Sequence, residues 1–248
     1  MEKLQEVCSL LFQRQNLLVS VTGGREGYAA LRNMSDQITD GLYADTEKES
    51  IEISLPDQKN EGFKDASQIQ YVSLAGNYAQ SGFSYHGAMR VFKVIMNYEY
   101  LWQNIRVKGG AYGCSTNVGR NGDVCFLSYR DPNLERTLEV YRGVTDYLKE
   151  FELDERGMTR FVIGAFSELD APLTPMSQGR RSLLSYLTGV SYEMIQKERE
   201  QALHTCPQDI RNLAETMQAV LDHSYICAIG NEGKLQEEAD LFDVLKTL

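Results

Sequence analysis

Two adjacent glycines, Gly109 and Gly110, stand where one periodicity of the chain ends and another begins. Upstream, residues 86–105 carry the most regular apolar stripe. Ala88, Val91, Phe92, Ile95, Tyr98, Trp102 and Ile105 follow the three-and-four spacing of a buried helix face. Downstream, Ala111–Val118 and Asp123–Tyr129 flank a turn ending in Asn121-Gly122, a strong hairpin signal. Adjacent glycines reach backbone angles closed to other residues, so a helix can stop and a strand begin within Arg106-Val-Lys-Gly-Gly-Ala-Tyr-Gly113. Arg106 is then placed at the helix end and Tyr112 near the strand start. A guanidinium and a phenol held there form a fixed pair of hydrogen-bond donors. Local grounds alone favour the plainer reading, in which the glycines are only punctuation, Arg106 a solvated end charge and Tyr112 core filling.

The rest of the chain alternates helix and strand patterns. Residues 2–14 read as a helix with Leu4, Val7, Cys8 and Leu11 on one face. Leu17–Val21 is a β-rich run, followed by Thr22-Gly23-Gly24 and a helix over 25–37. Residues 41–64 are acidic, polar and rich in turn formers, which predicts a surface linker and a domain boundary there. Gln68–Tyr78 alternates as a strand. Asp131-Pro132 has the form of a helix start. From there Leu134, Leu138, Tyr141, Val144, Leu148 and Phe151 face one way. Asp154 should cap the next helix, which ends before Pro172. Helices are predicted from about Ser177 to Gly189 and from Ser191 to about His204. Thr205-Cys-Pro-Gln208 resembles a capping box opening a helix to about Leu221. Tyr225–Ile229 reads as a strand, followed by a closing amphipathic helix.

One internal echo bears on domain organisation. Leu17-Leu-Val-Ser-Val-Thr-Gly-Gly-Arg-Glu-Gly27 is matched by Ser224-Tyr-Ile-Cys-Ala-Ile-Gly-Asn-Glu-Gly233, and each copy lies between two helices. Two copies of one domain ending make residues 1–42 the tail of a preceding homologous domain, residues 43–66 a linker and residues 67–248 most of a second repeat. The predicted architecture is α+β: a two-layer domain with a largely antiparallel sheet and helices on one face.

Composition excludes several functions. The 248 residues carry a net charge of -10, which argues against nucleic acid or an anionic membrane surface as partner. No apolar run approaches the roughly 20 residues that span a bilayer, and the N-terminus lacks a signal-peptide layout. Cys8, Cys114, Cys125, Cys206 and Cys227 are odd in number and lack a Cys-x-x-Cys pair, which predicts reduced thiols and a cytoplasmic location. His86, His204 and His223 are too far apart in sequence for the paired ligands of a catalytic zinc helix. No nucleophile elbow or phosphate loop is present, so no metal site and no complete active site is predicted within this chain.

Several ordered motifs resemble one family. Arg106-x-Lys-Gly-Gly-Ala-Tyr-Gly after a long helix, the glycine-turned hairpin and Tyr129-Arg-Asp-Pro132 are similar to sequences of the presequence proteases, within the pitrilysin/insulin-degrading class of zinc metallopeptidases. Ile163–Pro172, Gly179-Arg-Arg-Ser182, Tyr186-Leu-Thr-Gly189 and Lys197-Glu-Arg-Glu200 follow in family order. The resemblance runs from about residue 67 to the end. It implies the last of four related α+β domains, with the tail of the third before it and the zinc motif in an absent N-terminal half. It further implies that Arg106 and Tyr112 reach across a closed chamber to peptide bound at that zinc. Lys108, Gly109 and Gly110 would shape the loop. The implied whole is a zinc metalloendopeptidase acting on unstructured peptides, whose C-terminal part alone is inactive and binds no cofactor. The alternative is a non-catalytic docking domain of the same superfamily.

Overall fold

The Asn121-Gly122 turn closes as its sequence predicts, with Gly122 at φ 98°. It joins β3 (Gly113–Val118) to β4 (Asp123–Asp131) in antiparallel register. In the computed structural model, which describes residues 1–44, 57 and 59–248, this hairpin is one end of a six-stranded sheet. The other strands are β1 (Glu61–Asp65), β2 (Gln70–Asn77), β5 (Tyr225–Asn231) and β6 (Val244–Thr247). The spatial order is β3-β4-β2-β5-β1-β6. Three pairings are antiparallel, and β1 pairs parallel to both β5 and β6.

The helices are α1 (Glu2–Leu11), α2 (Arg25–Asp40), α3 (Ala88–Ile95), α4 (Glu135–Arg142), α5 (Val144–Lys149), α6 (Glu155–Leu169), α7 (Pro175–Leu187), α8 (Tyr192–Leu203), α9 (Pro207–Asp222) and α10 (Glu232–Glu237). The chain divides into two units: Met1–Leu55 with Pro172–Tyr192, and Pro56–Ala171 with Glu193–Leu248.

The larger unit holds the sheet and the core. Val72 and Leu74 of β2, Val124 and Phe126 of β4, and Ile226 and Ala228 of β5 share one buried face. Helices α3, α4 and α9 pack on the sheet, bringing Phe92, Leu138, Tyr141 and Met217 into the same cluster. The stripe from Leu134 to Phe151 is buried as its spacing predicts, although the chain breaks between α4 and α5 at Gly143, against which the Tyr100 hydroxyl lies. Asp154 caps α6 by accepting from Gly157 N at 2.8 Å. The opposite sheet face presents Tyr71, Leu127, Tyr129 and Tyr225, between 39% and 47% exposed. At the β3 edge, Asn97 holds the outward backbone of Thr116, donating to its O and accepting from its N. That clasp blocks further strand pairing there.

In the smaller unit, Gln13 and Gly179 are the buried positions among the described residues. Leu4, Val7 and Leu11 form the expected face of α1, but each is about half or more exposed. Gly179 on α7 lies against Thr22, leaving no space for a Cβ.

Several expectations are corrected. Leu17–Val21 forms no strand, because none of the described residues pairs with it. The expected linker over 43–66 ends in β1, where the sheet supplies partners on both edges to a sequence that is locally polar; residues 45–56 and 58 lie outside the described residues. Asp131 does not start a helix. It ends β4, fully buried, and α4 begins at Glu135. The cap of α9 is one residue later than predicted, with Cys206 N donating to Asp209 Oδ2 at 2.9 Å. The closing helix is the short α10, and the chain then adds β6, which pairs with β1 rather than packing by an amphipathic stripe.

Candidate functional site

The regular stripe of 86–105 does not continue as one α-helix. After α3 the backbone passes through π-helical turns at Met96–Tyr100 and Trp102–Val107. A π-turn holds an extra residue per turn, so each one rotates the following side chains out of phase with a 3.6-residue stripe. Leu101 and Ile105 therefore enter the core, while Tyr98 is turned out to 67% exposure and Trp102 to 37%. The predicted buried positions Tyr98 and Trp102 are thus corrected. Trp102 instead supplies a face for the Arg106 guanidinium, 4.2 Å from the ring centroid. Cation–π contacts of this kind hold a flexible arginine in one orientation.

The glycine junction follows at once. Gly110 N donates to Arg106 O at 3.0 Å and Ala111 N to Ile105 O at 3.1 Å, closing the helix end. Gly110 has φ 82°, a left-handed conformation that favours glycine. Gly109 lies so close to Ile105 O that a Cβ would collide with it. Lys108 is exposed, and its Nζ donates to Asn104 Oδ1 at 3.2 Å. Tyr112, 58% exposed, comes immediately before β3, and its backbone N donates to Arg130 O at 3.3 Å. The Arg106 guanidinium is 5.9 Å from the Tyr112 ring centroid. The fold thus brings together the two residues singled out from sequence, and both are exposed.

The end of β4 contributes residues that the sequence reading left outside the site. Tyr129 packs edge-on to Tyr112, with centroids 5.3 Å apart and planes at 60°. The Arg130 guanidinium lies 5.7 Å from the Tyr112 ring centroid, so two guanidiniums lie near one ring. Asp131 is fully buried and accepts from Thr137 Oγ1 at 2.7 Å and from Asn133 N at 2.9 Å. Asn133 Nδ2 in turn donates to Gly109 O at 2.6 Å. Backbone and side chains of 130–133 therefore grip the junction on both sides of its glycines. The signal for this was the polar run Tyr129-Arg-Asp-Pro132 at the end of an otherwise alternating strand.

Beside these residues runs a groove of about 560 Å³ over the open sheet face, lined by Tyr71, Trp102, Arg106, Leu127, Tyr129 and Ile229 among others. Cys114 also lines it; burial pushes its thiol up to about 11, against the opposing pull of the Arg106 charge. Among the described residues no carboxylate forms an ion pair with Arg106 or Arg130. Such a groove, apolar with a few convergent donors, has the character of a ligand site.

The described residues contain no group of three His, Cys, Asp or Glu side chains placed to hold a metal ion. His86 Nδ1 accepts from Ala88 N and His204 Nδ1 bonds Glu200 O, so both rings are used locally. The described residues therefore do not fit a catalytic zinc. No helix among them is long and apolar enough to cross a membrane.

Comparison with known proteins gives consistent matches. A family model described as the PreP C-terminal domain matches residues 60–232, beginning at the residue before β1. Protein HypA of Clostridium perfringens is 37% identical over 100% of this chain and 25% of its own length. Presequence protease 1, chloroplastic/mitochondrial, of Arabidopsis thaliana is 30% identical over 99% of this chain and 23% of its own length. The chain thus spans about a quarter of these relatives. Among solved structures, a protease from Helicobacter pylori matches with a TM-score of 0.61 at 14% identity, over 92% of this chain and 59% of that one. A peptidase M16 inactive domain from Pseudomonas fluorescens matches with a TM-score of 0.58 at 13% identity, over 82% of this chain and 51% of that one. Both support the α+β fold.

Proposed function

The chain belongs to the PreP C-terminal domain family, and from that premise we propose that it is the substrate-clamping part of a zinc metalloendopeptidase acting on unstructured peptides. The observation that carries this reading is the paired exposure of Arg106 and Tyr112 at a rigid junction beside the open groove. Both are donors whose backbones are held by hydrogen bonds. Donors already aimed at a peptide oxygen stabilise charge growing there without reorganising. The Arg106 guanidinium offers charged N–H donors, and the Tyr112 hydroxyl donates without adding charge. Lys108, Gly109 and Gly110 shape the loop that carries them.

In this reading the metal and the base come from the N-terminal half of the same polypeptide, which closes over the groove. Residues 1–42 are the tail of a preceding homologous domain. The boundary of the last domain moves forward from 67 to β1. The exposed apolar face of α1 and the unpaired Leu17–Val21 run are what a domain ending without its own sheet would leave. Five free cysteines accord with a reducing, cytoplasm-like compartment.

The test uses the full-length polypeptide. Arg106→Ala or Tyr112→Phe should each lower kcat/KM on a quenched peptide by about 100-fold, the loss typical of one preorganised donor, with zinc content unchanged. Unaltered kcat/KM in both variants would overturn the clamp. The isolated chain, supplied with zinc, should show no turnover, and turnover by it would place the whole active site here.

A further inference from the structure

Arg130 is the one non-glycine residue at positive φ among the described residues, at 51°. Its position in the ladder explains why. Gln70 pairs with Asp131 and Tyr71 with Tyr129, so Arg130 is an extra residue bulged out between two pairs. By strict alternation along β4 it would share the buried face with Phe126 and Ser128. The bulge reverses that order. Arg130 emerges on the exposed side with Tyr129, and Asp131 takes the buried side. Bulges re-aim side chains in this way, and a strained residue persists only where its surroundings hold it. Here the hold is the Asp131 network with Thr137 and Asn133, and the bond from Tyr112 N to Arg130 O.

What the bulge delivers is a second guanidinium near the Tyr112 ring, without an ion-pair partner among the described residues. Two cations beside one ring, neither with an ion-pair partner among the described residues, are unusual in a chain of net charge -10, whose average field repels anions. A guanidinium fork matches a carboxylate by two parallel hydrogen bonds. Resting on the clamp reading above, we propose that Arg130 is a third substrate-contacting residue, which gives the site a preference for peptides that present a carboxylate beside the segment held by Arg106 and Tyr112. The carboxylate has two sources, an acidic side chain or the peptide C-terminus.

Three matched quenched peptides separate them in the full-length polypeptide: one with an internal Glu and an amidated end, one with Gln at that position and a free C-terminus, and one with Gln and an amidated end. The expected result is that one carboxylate peptide has kcat/KM about tenfold above the neutral one, as a charge-assisted pair in a part-exposed site provides. Arg130→Gln should bring that ratio close to one, and Arg130→Lys should retain part of it. Arg130→Gly should lose the preference too, although it relieves the backbone and keeps or raises Tm, which separates recognition from folding. Absence of a preference in the natural sequence, a ratio untouched by Arg130→Gln, or an equal slowing of all three peptides would each overturn the assignment. Arg106→Ala serves as the check on the reading beneath it. If that variant is impaired while the Arg130 ratios do not move, only Arg130 is wrongly assigned; if it is fully active, the clamp falls and Arg130 with it.

Discussion

Leu17–Gly23 and Ser224–Gly230 follow the same pattern, an apolar run closing on a glycine, and each lies between two helices. In the second copy the run is β5, bonded to β2 on one side and β1 on the other. Ile226 and Ala228 are buried, and Gly230 lies so close to Ile69 O that an added Cβ would be 2.5 Å from it. In the first copy Leu17, Leu18, Val19 and Val21 are 40% to 51% exposed, and nothing lies within 4 Å of the Cβ position at Gly23. Local preference is therefore alike and the outcome differs. A strand is stabilised by its neighbours, and a run without them stays unpaired.

Four measurements would break or sharpen this contrast. The largest effect should appear in amide exchange. Backbone amides of 226–230 should be protected by about 1,000-fold or more, close to the stability of the whole domain, while those of 18–21 exchange nearly freely. Equal protection would mean that the first copy has found a partner. Next, Ile226→Ala should cost about 3 kcal/mol in urea unfolding followed by the single tryptophan, and Val19→Ala less than about 0.5 kcal/mol. Gly230→Ala should cost about 2 kcal/mol by forcing Ile69 and Gln70 aside, whereas Gly23→Ala should be close to neutral. The smallest effect tests the register of β1. Burial raises the Cys227 thiol above its ordinary range, with Glu61 opposite adding to the rise. Removing that negative charge by Glu61→Gln should lower the thiol pKa and so quicken alkylation of Cys227 at a fixed pH below it. No change would mean that residues near 61 behave as the linker their polarity implied.

The same distinction separates what was legible in the candidate site from what was not. Gly109-Gly110 announced a junction, and the residues on either side, Arg106 and Tyr112, meet where it placed them. A 3.6-residue period carried through the π-turns places Trp102 in the core, because their extra residue per turn leaves no mark in the apolar pattern. Asp131 looked like a helix cap because Asp-Pro often is one. Its burial depends on the bulge at Arg130, which is defined only by the pairing of β4 with β2.

By itself the sequence determined the hairpin through Asn121-Gly122, the helix stop through Gly109-Gly110 and the buried stripe from Leu134 to Phe151. These depend on backbone freedom and on periodicity within a few turns of chain. The tertiary structure alone decided that polar Glu61–Asp65 is a strand and apolar Leu17–Val21 is not, and that Arg130 faces outward while Asp131 is buried. Those choices rest on hydrogen-bonding partners far away in sequence, Gln70 for Asp131, Cys227 and Val244 for Glu61, and no local pattern carries that information.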